Sequence, residues 1–162
     1  EFRRVLFRSV RPNPGQPMRP LRKIASGGEL SRITLAIKHV LSASDRTSVL
    51  VFDEIDANIG GRLGSVIGRK LKELCGAGER PSGDAGHQVL CITHLPQIAA
   101  FADRHFRIEK LVTGKGKARQ TRTAVRPMAG KARIDELAEM MAGTEATATT
   151  RRQARELIHA AA

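Results

Sequence analysis

The sequence contains no Trp and no Tyr, and five Phe residues make up its aromatic fraction of 3%. Proteins that bind single-stranded nucleic acid stack bases on aromatic side chains, so this composition excludes such a stacking platform. No apolar run approaches the roughly 20 residues that a membrane-spanning helix needs, and the basic start lacks the apolar stretch of a secretory signal. The spacing of Cys75 and Cys91 does not match a metal site, and both thiols are predicted to be reduced.

A phosphate-binding loop of the form Gly-x-x-x-x-Gly-Lys-Ser/Thr is also missing from the 162 residues. The nearest pattern, Gly-Lys-Gly-Lys at residues 114–117, is too short and lies in a predicted hairpin turn rather than between a strand and a helix. The chain alone is therefore expected to lack the loop that grips nucleotide phosphates. Its hydrophobic fraction of 41% and net charge of +12 indicate one globular domain with a core and a basic surface.

The first informative motif is a Ser-Gly-Gly-Glu run at residues 26–29. Apolar residues recur at helical spacing after it and predict a helix over about 28–42. Ser26 is placed to cap this helix, while Gly27 and Gly28 leave backbone N–H groups uncovered at its positive end. Such an end binds anions, above all phosphate. An N-cap before an ordinary amphipathic helix explains the same residues, so both interpretations stay open.

Two short apolar runs each end in side chains suited to chemistry. Residues 48–56 (Ser-Val-Leu-Val-Phe-Asp-Glu-Ile-Asp) end in carboxylates, and residues 88–94 (Gln-Val-Leu-Cys-Ile-Thr-His) end in a histidine. A continuous apolar run of this length is typical of a strand buried on both faces of a parallel sheet. Asp53, Glu54 and His94 then follow the carboxyl ends of strands, where open α/β sheets bind ligands. An acidic loop that caps the next helix, and an ordinary core or surface histidine, are the alternatives.

The remaining pattern predicts an α/β fold class with a largely parallel sheet flanked by helices and followed by a basic β-hairpin. The predicted elements after the first helix are strands at 49–52 and 89–93, helices at about 63–74 and 96–101, hairpin arms at 106–112 and 119–126, and helices at about 134–141 and 148–161. Residues 1–9 look like a translated adapter sequence and are interpreted as a non-native leader. Residues 10–23 are a proline-rich extended lead-in, and residues 24–162 form the folded lobe.

In this order, the run at 26–29, the pair Asp53 and Glu54, and His94 resemble the second half of an ABC-type ATPase. The matching motifs are the signature motif, the Walker B motif with its catalytic glutamate, and the switch histidine. Glu29, where transporter ATPases usually carry glutamine, resembles the SMC-like branch. Asn-Pro-Gly at 13–15 and Thr-His-Leu-Pro-Gln-Ile-Ala at 93–99 resemble the RecN family of bacterial DNA-repair ATPases, so the resemblance covers residues 13–162.

The resemblance implies the C-terminal lobe of a P-loop NTPase head, with ATP and Mg²⁺ as cofactors. Asp53 would hold Mg²⁺ through water, Glu54 would act as general base, and His94 would orient the attacking water at the γ-phosphate. Residues 26–29 would close over ATP held by a second copy of the same head. The phosphate-gripping loop and a coiled coil would belong to an N-terminal part, and the chain alone is expected to be inactive. The implied location is the bacterial cytoplasm, at the nucleoid.

Basic side chains are concentrated in residues 104–133, where ten Lys or Arg accompany one acid, Glu109. Five of these basic residues on the predicted hairpin are candidates for DNA contact. These are Lys115, Lys117, Arg119, Arg122 and Arg126. Contacts of this kind go to phosphates, so affinity would be salt-sensitive and largely independent of DNA sequence. A solvated basic face explains the same run of charge.

Two other functions remain open alongside a RecN-like ATPase. One is a head fragment of another SMC-like ATPase, and the other is a non-catalytic basic DNA-binding module with a degenerate nucleotide fold. Intact Asp53, Glu54 and His94 argue against degeneration. A hydrolase triad built from Ser26 or Ser31 is excluded, because neither serine lies in a Gly-x-Ser-x-Gly elbow after a strand.

Overall fold

A computed structural model describes residues 9–11, 15, 17–20, 26–42, 47–76, 86–113 and 119–162. Outside these ranges lie Lys115, Lys117 and most of the predicted leader. Most of the loop predicted between the helix at about 63–74 and the strand at 89–93 also lies outside them. The elements are β1 (Ser9–Val10), β2 (Arg19–Pro20), α1 (Gly27–Val40), β3 (Val49–Phe52), α2 (Gly61–Cys75), β4 (Gln88–Cys91), α3 (Pro96–Ala99), β5 (His105–Thr113), β6 (Gln120–Met128), α4 (Gly130–Ala142), a 3-10 turn (Gly143–Glu145) and α5 (Ala148–Ala161).

The strands form three two-stranded sheets within the described ranges. β3 and β4 are parallel, in a register that runs from Val49 opposite Gln88 to Phe52 opposite Cys91, and α2 connects them along the chain. β1 with β2 and β5 with β6 are antiparallel pairs. The chain is therefore a mixed α/β protein. The largely parallel sheet expected from the sequence is reduced to one pair here, because the described chain brings no further strand beside β3 or β4.

The prediction that the apolar strands are buried on both faces is wrong for β3 and also for β4, where Leu90 is 49% exposed. Leu50 and Phe52 are only 7% and 3% exposed, whereas Val49 and Val51 are 45% and 64% exposed. Successive side chains of a strand point to opposite faces, so one face of β3 packs inward and the other meets solvent. The strand is apolar on both faces, but the described chain supplies a covering layer for only one of them.

The chain divides into two compact units, and it passes from one to the other after Ile59, after Lys72 inside α2, and after Thr93. The first unit holds α1, β3 and β4, and ends at Thr93. The buried apolar side chains of this unit are Leu35, Leu50, Phe52, Ile55 and Leu74.

The second unit consists of Gly60–Lys72 and His94–Ala162. Four of its buried residues form one cluster, Ala100, Leu137, Ala138 and Ala154, with Ile134, Leu157 and Ile158 packed against them. Arg133 on α4 donates hydrogen bonds from Nη2 to the carbonyls of Ala100 (2.9 Å) and Ala102 (2.7 Å), which follow α3. Burial, together with the charge of Arg133, lowers the pKa of His105 and favours a neutral imidazole.

Helix boundaries in the second unit follow from local chemistry. Gly143 has a φ of +70°, the left-handed region that glycine adopts readily, and ends α4 as the sequence predicts. Thr147 begins α5 through a capping box in which its hydroxyl accepts the Thr150 N–H at 3.2 Å. Among the helices of the described ranges, none combines the length and apolarity needed to span a bilayer.

Candidate functional site

The start of α1 has the cap that the sequence predicts. Ser26 is extended, with φ −127° and ψ 140°, and its Oγ accepts a hydrogen bond from the Glu29 N–H at 3.2 Å. Gly27 and Gly28 form the first turn, whose N–H groups carry the positive end of the helix dipole. Glu29 adds an acidic side chain to that turn. The prediction of a capped helix with a glycine-lined positive end is confirmed.

Residues 53–58, called here the carboxylate loop, connect β3 to the segment before α2. The Glu54 N–H donates to Asp53 Oδ1 at 2.9 Å, and the Ala57 N–H donates to the Glu54 carbonyl at 2.9 Å. Glu54 and Asn58 have positive φ angles of 55° and 60°. Such conformations cost about 1–3 kcal/mol for a residue with a side chain and concentrate at functional sites. The loop thus holds its glutamate in an unfavourable backbone conformation.

The glycine end of α1, Gly27 with Gly28, packs directly against the carboxylate loop. A Cβ atom on Gly27 would lie 2.7 Å from Glu54 Oε2, and one on Gly28 would lie 2.8 Å from both the Glu54 carbonyl and the Ala57 Cβ. At Gly28 only glycine permits this approach, because the neighbouring atoms are fixed by the backbone. Two motifs far apart in sequence are therefore brought together, and the Glu54 carboxylate lies at the positive end of α1.

Side chains of the second turn of α1 fasten the same loop. Ser31 Oγ donates to the Asp53 carbonyl at 2.8 Å. Arg32 Nη1 donates to the carbonyls of Ile55 (3.1 Å) and Ala57 (3.0 Å). Sequence reasoning missed both residues. The available signal was spacing, because Arg32 lies four residues after Gly28 and so shares its helix face.

A buried carboxylate joins the loop to the segment that follows β4. Asp56 is 3% exposed, and its Oδ2 accepts a hydrogen bond from Thr93 Oγ1 at 2.6 Å. Burial, together with the charges of Asp56 and Asp53, raises the pKa of the Cys91 thiol to about 12. Sequence reasoning treated Asp56 only as part of an acidic loop. It lies beside Thr93 because the carboxyl ends of the parallel strands meet at one edge.

The carboxylates fit a loosely held cation better than a protein-caged one. Within the described ranges, no group of three or more His, Cys, Asp or Glu side chains is arranged to hold a metal ion. Asp53 is exposed, and its Oδ1 already accepts the Glu54 N–H. Mg²⁺ keeps several waters and commonly binds one or two carboxylates together with substrate phosphates. Asp53 is therefore a suitable ligand for Mg²⁺ that arrives with a nucleotide.

His94 belongs to the second unit, whereas residues 26–29, Asp53 and Glu54 belong to the first. His94 directly follows Thr93 in the sequence, and its side chain is exposed. Pro96 begins the four-residue helix α3 two positions later, as the sequence predicts. The switch role of His94 stays a prediction.

Acidic side chains neutralise more of the positive charge of the basic hairpin than the sequence indicates. Arg107 on β5 pairs with Glu136 (2.6 Å) and Glu139 (2.8 Å) on α4, and with Glu109 (3.2 Å) on its own strand. Arg126 on β6 also pairs with Glu109, at 3.2 Å. The acids that balance Arg107 come from a helix that follows the basic segment in sequence. Local charge counting therefore overestimates the positive potential of this surface.

The five candidate residues for DNA contact divide into three groups. Arg119 and Arg122 are exposed and have no ion pair in the part of the chain that the structure describes. Arg126 is exposed but paired, and Lys115 and Lys117 lie outside the described residues. Arg122 and Arg126 lie on one face of β6, opposite Leu111 and Arg107 of β5.

The fold and the site define a mixed α/β protein in which a glycine-led helix end meets carboxylates that follow a parallel strand. No protein-family model matches the chain. Three curated relatives, each named DNA repair protein RecN, share 40 to 43% of aligned residues with it. They come from Bacillus subtilis (40% identical over 92% of this chain), Streptomyces coelicolor (43% over 93%) and Treponema pallidum (42% over 94%).

The chain spans about a quarter of the length of these curated relatives, since the aligned part is 24% of each of them. It corresponds to their C-terminal part. Over that part, the chain belongs to the RecN family.

The close approach of α1 to the carboxylate loop predicts different costs for the two glycines. Gly28→Ala should lower the free energy of unfolding by about 1–3 kcal/mol, because its Cβ meets the Glu54 carbonyl and the Ala57 Cβ, which are fixed by the backbone. Gly27→Ala should cost less, since only the mobile end of the Glu54 side chain must move. Urea unfolding measures both, with Gly60→Ala in open space as control. Equal costs for Gly27 and Gly28 would contradict the geometry.

The pKa of Cys91 predicts a thiol that resists alkylation in the folded state. In a Cys75→Ser background, Cys91 should react with iodoacetamide at pH 8 about 10³-fold more slowly when folded than in urea, because the thiolate is the reactive form and its pKa is raised to about 12. Asp53→Asn should accelerate the folded-state reaction by removing one of the charges that raise this pKa. A folded-state rate close to the rate in urea would refute the prediction.

Proposed function

We propose that the chain is the C-terminal part of an ATP-hydrolysing head of a RecN-like protein that repairs DNA double-strand breaks in the bacterial cytoplasm, at the nucleoid. The observation that carries the proposal is the packing of Gly27 and Gly28 against Glu54 at the carboxyl end of β3. A helix end that attracts phosphate and a carboxylate that can activate water thus lie side by side. The names of the relatives support the repair role.

The residues divide the chemistry of hydrolysis between them. Asp53 would hold Mg²⁺, and the ion would supply neutralisation of phosphate charge. Glu54 polarises the attacking water and accepts its proton, which is worth about 10²–10⁴-fold in rate. His94 hydrogen-bonds the γ-phosphate and orients the water. The loop that grips the β- and γ-phosphates is assigned to the N-terminal part of the full-length protein.

Two copies of the head are proposed to cooperate across ATP. The residues at 26–29 close over ATP held by the second copy, while Asp53, Glu54 and His94 act on ATP held by their own head. Because Gly27 touches Glu54 within one chain, the start of α1 then contacts the partner's nucleotide and the chain's own general base. ATP binding joins the heads and hydrolysis releases them. The relatives are named RecN, which favours RecN over other SMC-like ATPases.

DNA is the second proposed partner. Its backbone phosphates are proposed to contact basic side chains of the hairpin formed by β5 and β6. Arg119 and Arg122 support this proposal, because they are exposed and carry no ion pair within the described ranges. Arg126 contributes less, since Glu109 already pairs with it at 3.2 Å. The absence of Tyr and Trp is consistent with recognition of the backbone rather than of stacked bases.

Replacement of the general base tests the ATPase proposal. In a full-length RecN protein that carries this segment, Glu54→Gln should preserve ATP binding and slow hydrolysis by about 10²–10⁴-fold, because the amide cannot accept the proton of the water. ATP-bound head dimers should then accumulate in size-exclusion chromatography. Glu156→Gln is the matched control, an exposed glutamate that pairs with Arg152 on α5. Wild-type turnover of Glu54→Gln would remove Glu54 from the mechanism.

The DNA proposal predicts a change in salt dependence. Replacing Arg119 and Arg122 together with Ala in the full-length protein should lower the slope of log affinity against log salt by about two units, with no change in sequence preference. Fluorescence anisotropy with duplex DNA measures the slope. The double replacement Arg152→Ala and Arg155→Ala removes the same charge from α5 and should leave the slope unchanged. Equal slopes for the hairpin variant and wild type would assign the hairpin to a solvated basic face.

A further inference from the structure

We propose that Arg32 is a positioning residue that couples the glycine end of α1 to Glu54 and thereby regulates the proposed ATP site. The inference rests on the function proposed above. It assigns a role to a side chain outside the signature, Walker B and switch motifs. Arg32 acts through the backbone of the carboxylate loop and does not contact the reacting atoms.

One guanidinium nitrogen of Arg32 reaches both structures that the proposal connects. Nη1 lies 3.1 Å from where a Cβ of Gly28 would stand, so it lines the glycine end of α1. The same Nη1 donates hydrogen bonds to the carbonyls of Ile55 (3.1 Å) and Ala57 (3.0 Å). These carbonyls lie on either side of the buried Asp56. A shift of Arg32 therefore moves the loop backbone directly.

The loop transmits such a shift to Glu54 because its backbone is strained at that residue. The left-handed φ of 55° at Glu54 persists only while the surroundings enforce it. Ser31 fixes the loop upstream at the Asp53 carbonyl, and Thr93 fixes it downstream at the Asp56 carboxylate. Arg32 holds the Ile55 carbonyl between these anchors and the Ala57 carbonyl just beyond the second one. The Ala57 N–H in turn donates to the Glu54 carbonyl at 2.9 Å.

The charge of Arg32 makes this contact sensitive to a phosphate at the helix end. Its recorded partners are neutral carbonyls, and no carboxylate pairs with it in the described part of the chain. A hydrogen bond from a guanidinium to an anion is stronger than one to a neutral carbonyl. Phosphate at the glycine end of α1 therefore competes for Arg32, and the loop that carries Glu54 responds to that occupancy.

The test uses ATPase kinetics of a full-length RecN protein carrying this segment. Arg32→Met should lower kcat about 10²-fold, the effect of a roughly 1 Å misplacement of a catalytic group, and should leave KM for ATP close to wild type. Arg32→Lys retains the charge without the guanidinium fork and should recover part of kcat. Lys38→Met is the matched control on α1, because Lys38 bonds Thr47 outside the carboxylate loop. An unchanged kcat, or a loss confined to KM, would overturn the proposal.

A double-mutant cycle separates positioning from general destabilisation. If Arg32 acts through Glu54, Arg32→Met should cause no further loss of kcat in a Glu54→Gln background. An equal loss in both backgrounds refutes the coupling while the ATPase proposal stands. Wild-type turnover of Glu54→Gln alone refutes the ATPase proposal and the coupling with it. Thermal unfolding is measured for every variant, and if Arg32→Met does not fold, Arg32→Lys replaces it in the cycle with the same expected result.

Discussion

Hydrogen bonds from the second turn of α1 to backbone carbonyls of the carboxylate loop hold the candidate site together. Ser31 donates to the Asp53 carbonyl, and Arg32 donates to the carbonyls of Ile55 and Ala57. Within the same loop, Glu54 has a left-handed backbone conformation. A charged donor to a carbonyl is stronger than a neutral one, so Arg32 is suited to maintain such a strained segment. The need for glycine at Gly28 follows, because these bonds draw the helix against the loop.

Charge is distributed by tertiary contacts rather than by position in the sequence. Arg107 lies in the most basic part of the chain, yet Glu136 and Glu139 of α4 contact it at 2.6 and 2.8 Å. Arg119 and Arg122 in the same hairpin have no such partner within the described residues. Exposed pairs are individually weak, but they decide which cations face solvent and are available to an anionic partner.

The open face of the parallel pair is consistent with a chain that represents a quarter of its relatives' length. Val51 of β3 and Leu90 of β4 are both about half exposed or more, although parallel strands are normally covered on both sides. Burying such side chains is worth about 25 cal/mol for each Å² removed from water.

The sequence by itself determined the α-helices, the strands β3 to β6 and the type of residue at the end of several of them. Helical spacing after Ser26, a short apolar run before Asp53 and a glycine at Gly143 are local signals, and each gave the correct element because propensity and capping act over a few residues. Tertiary structure decided the rest. Arg32 clamps the carboxylate loop and Asp56 accepts a hydrogen bond from Thr93 because residues distant in sequence meet at one strand edge, a proximity that no local pattern encodes.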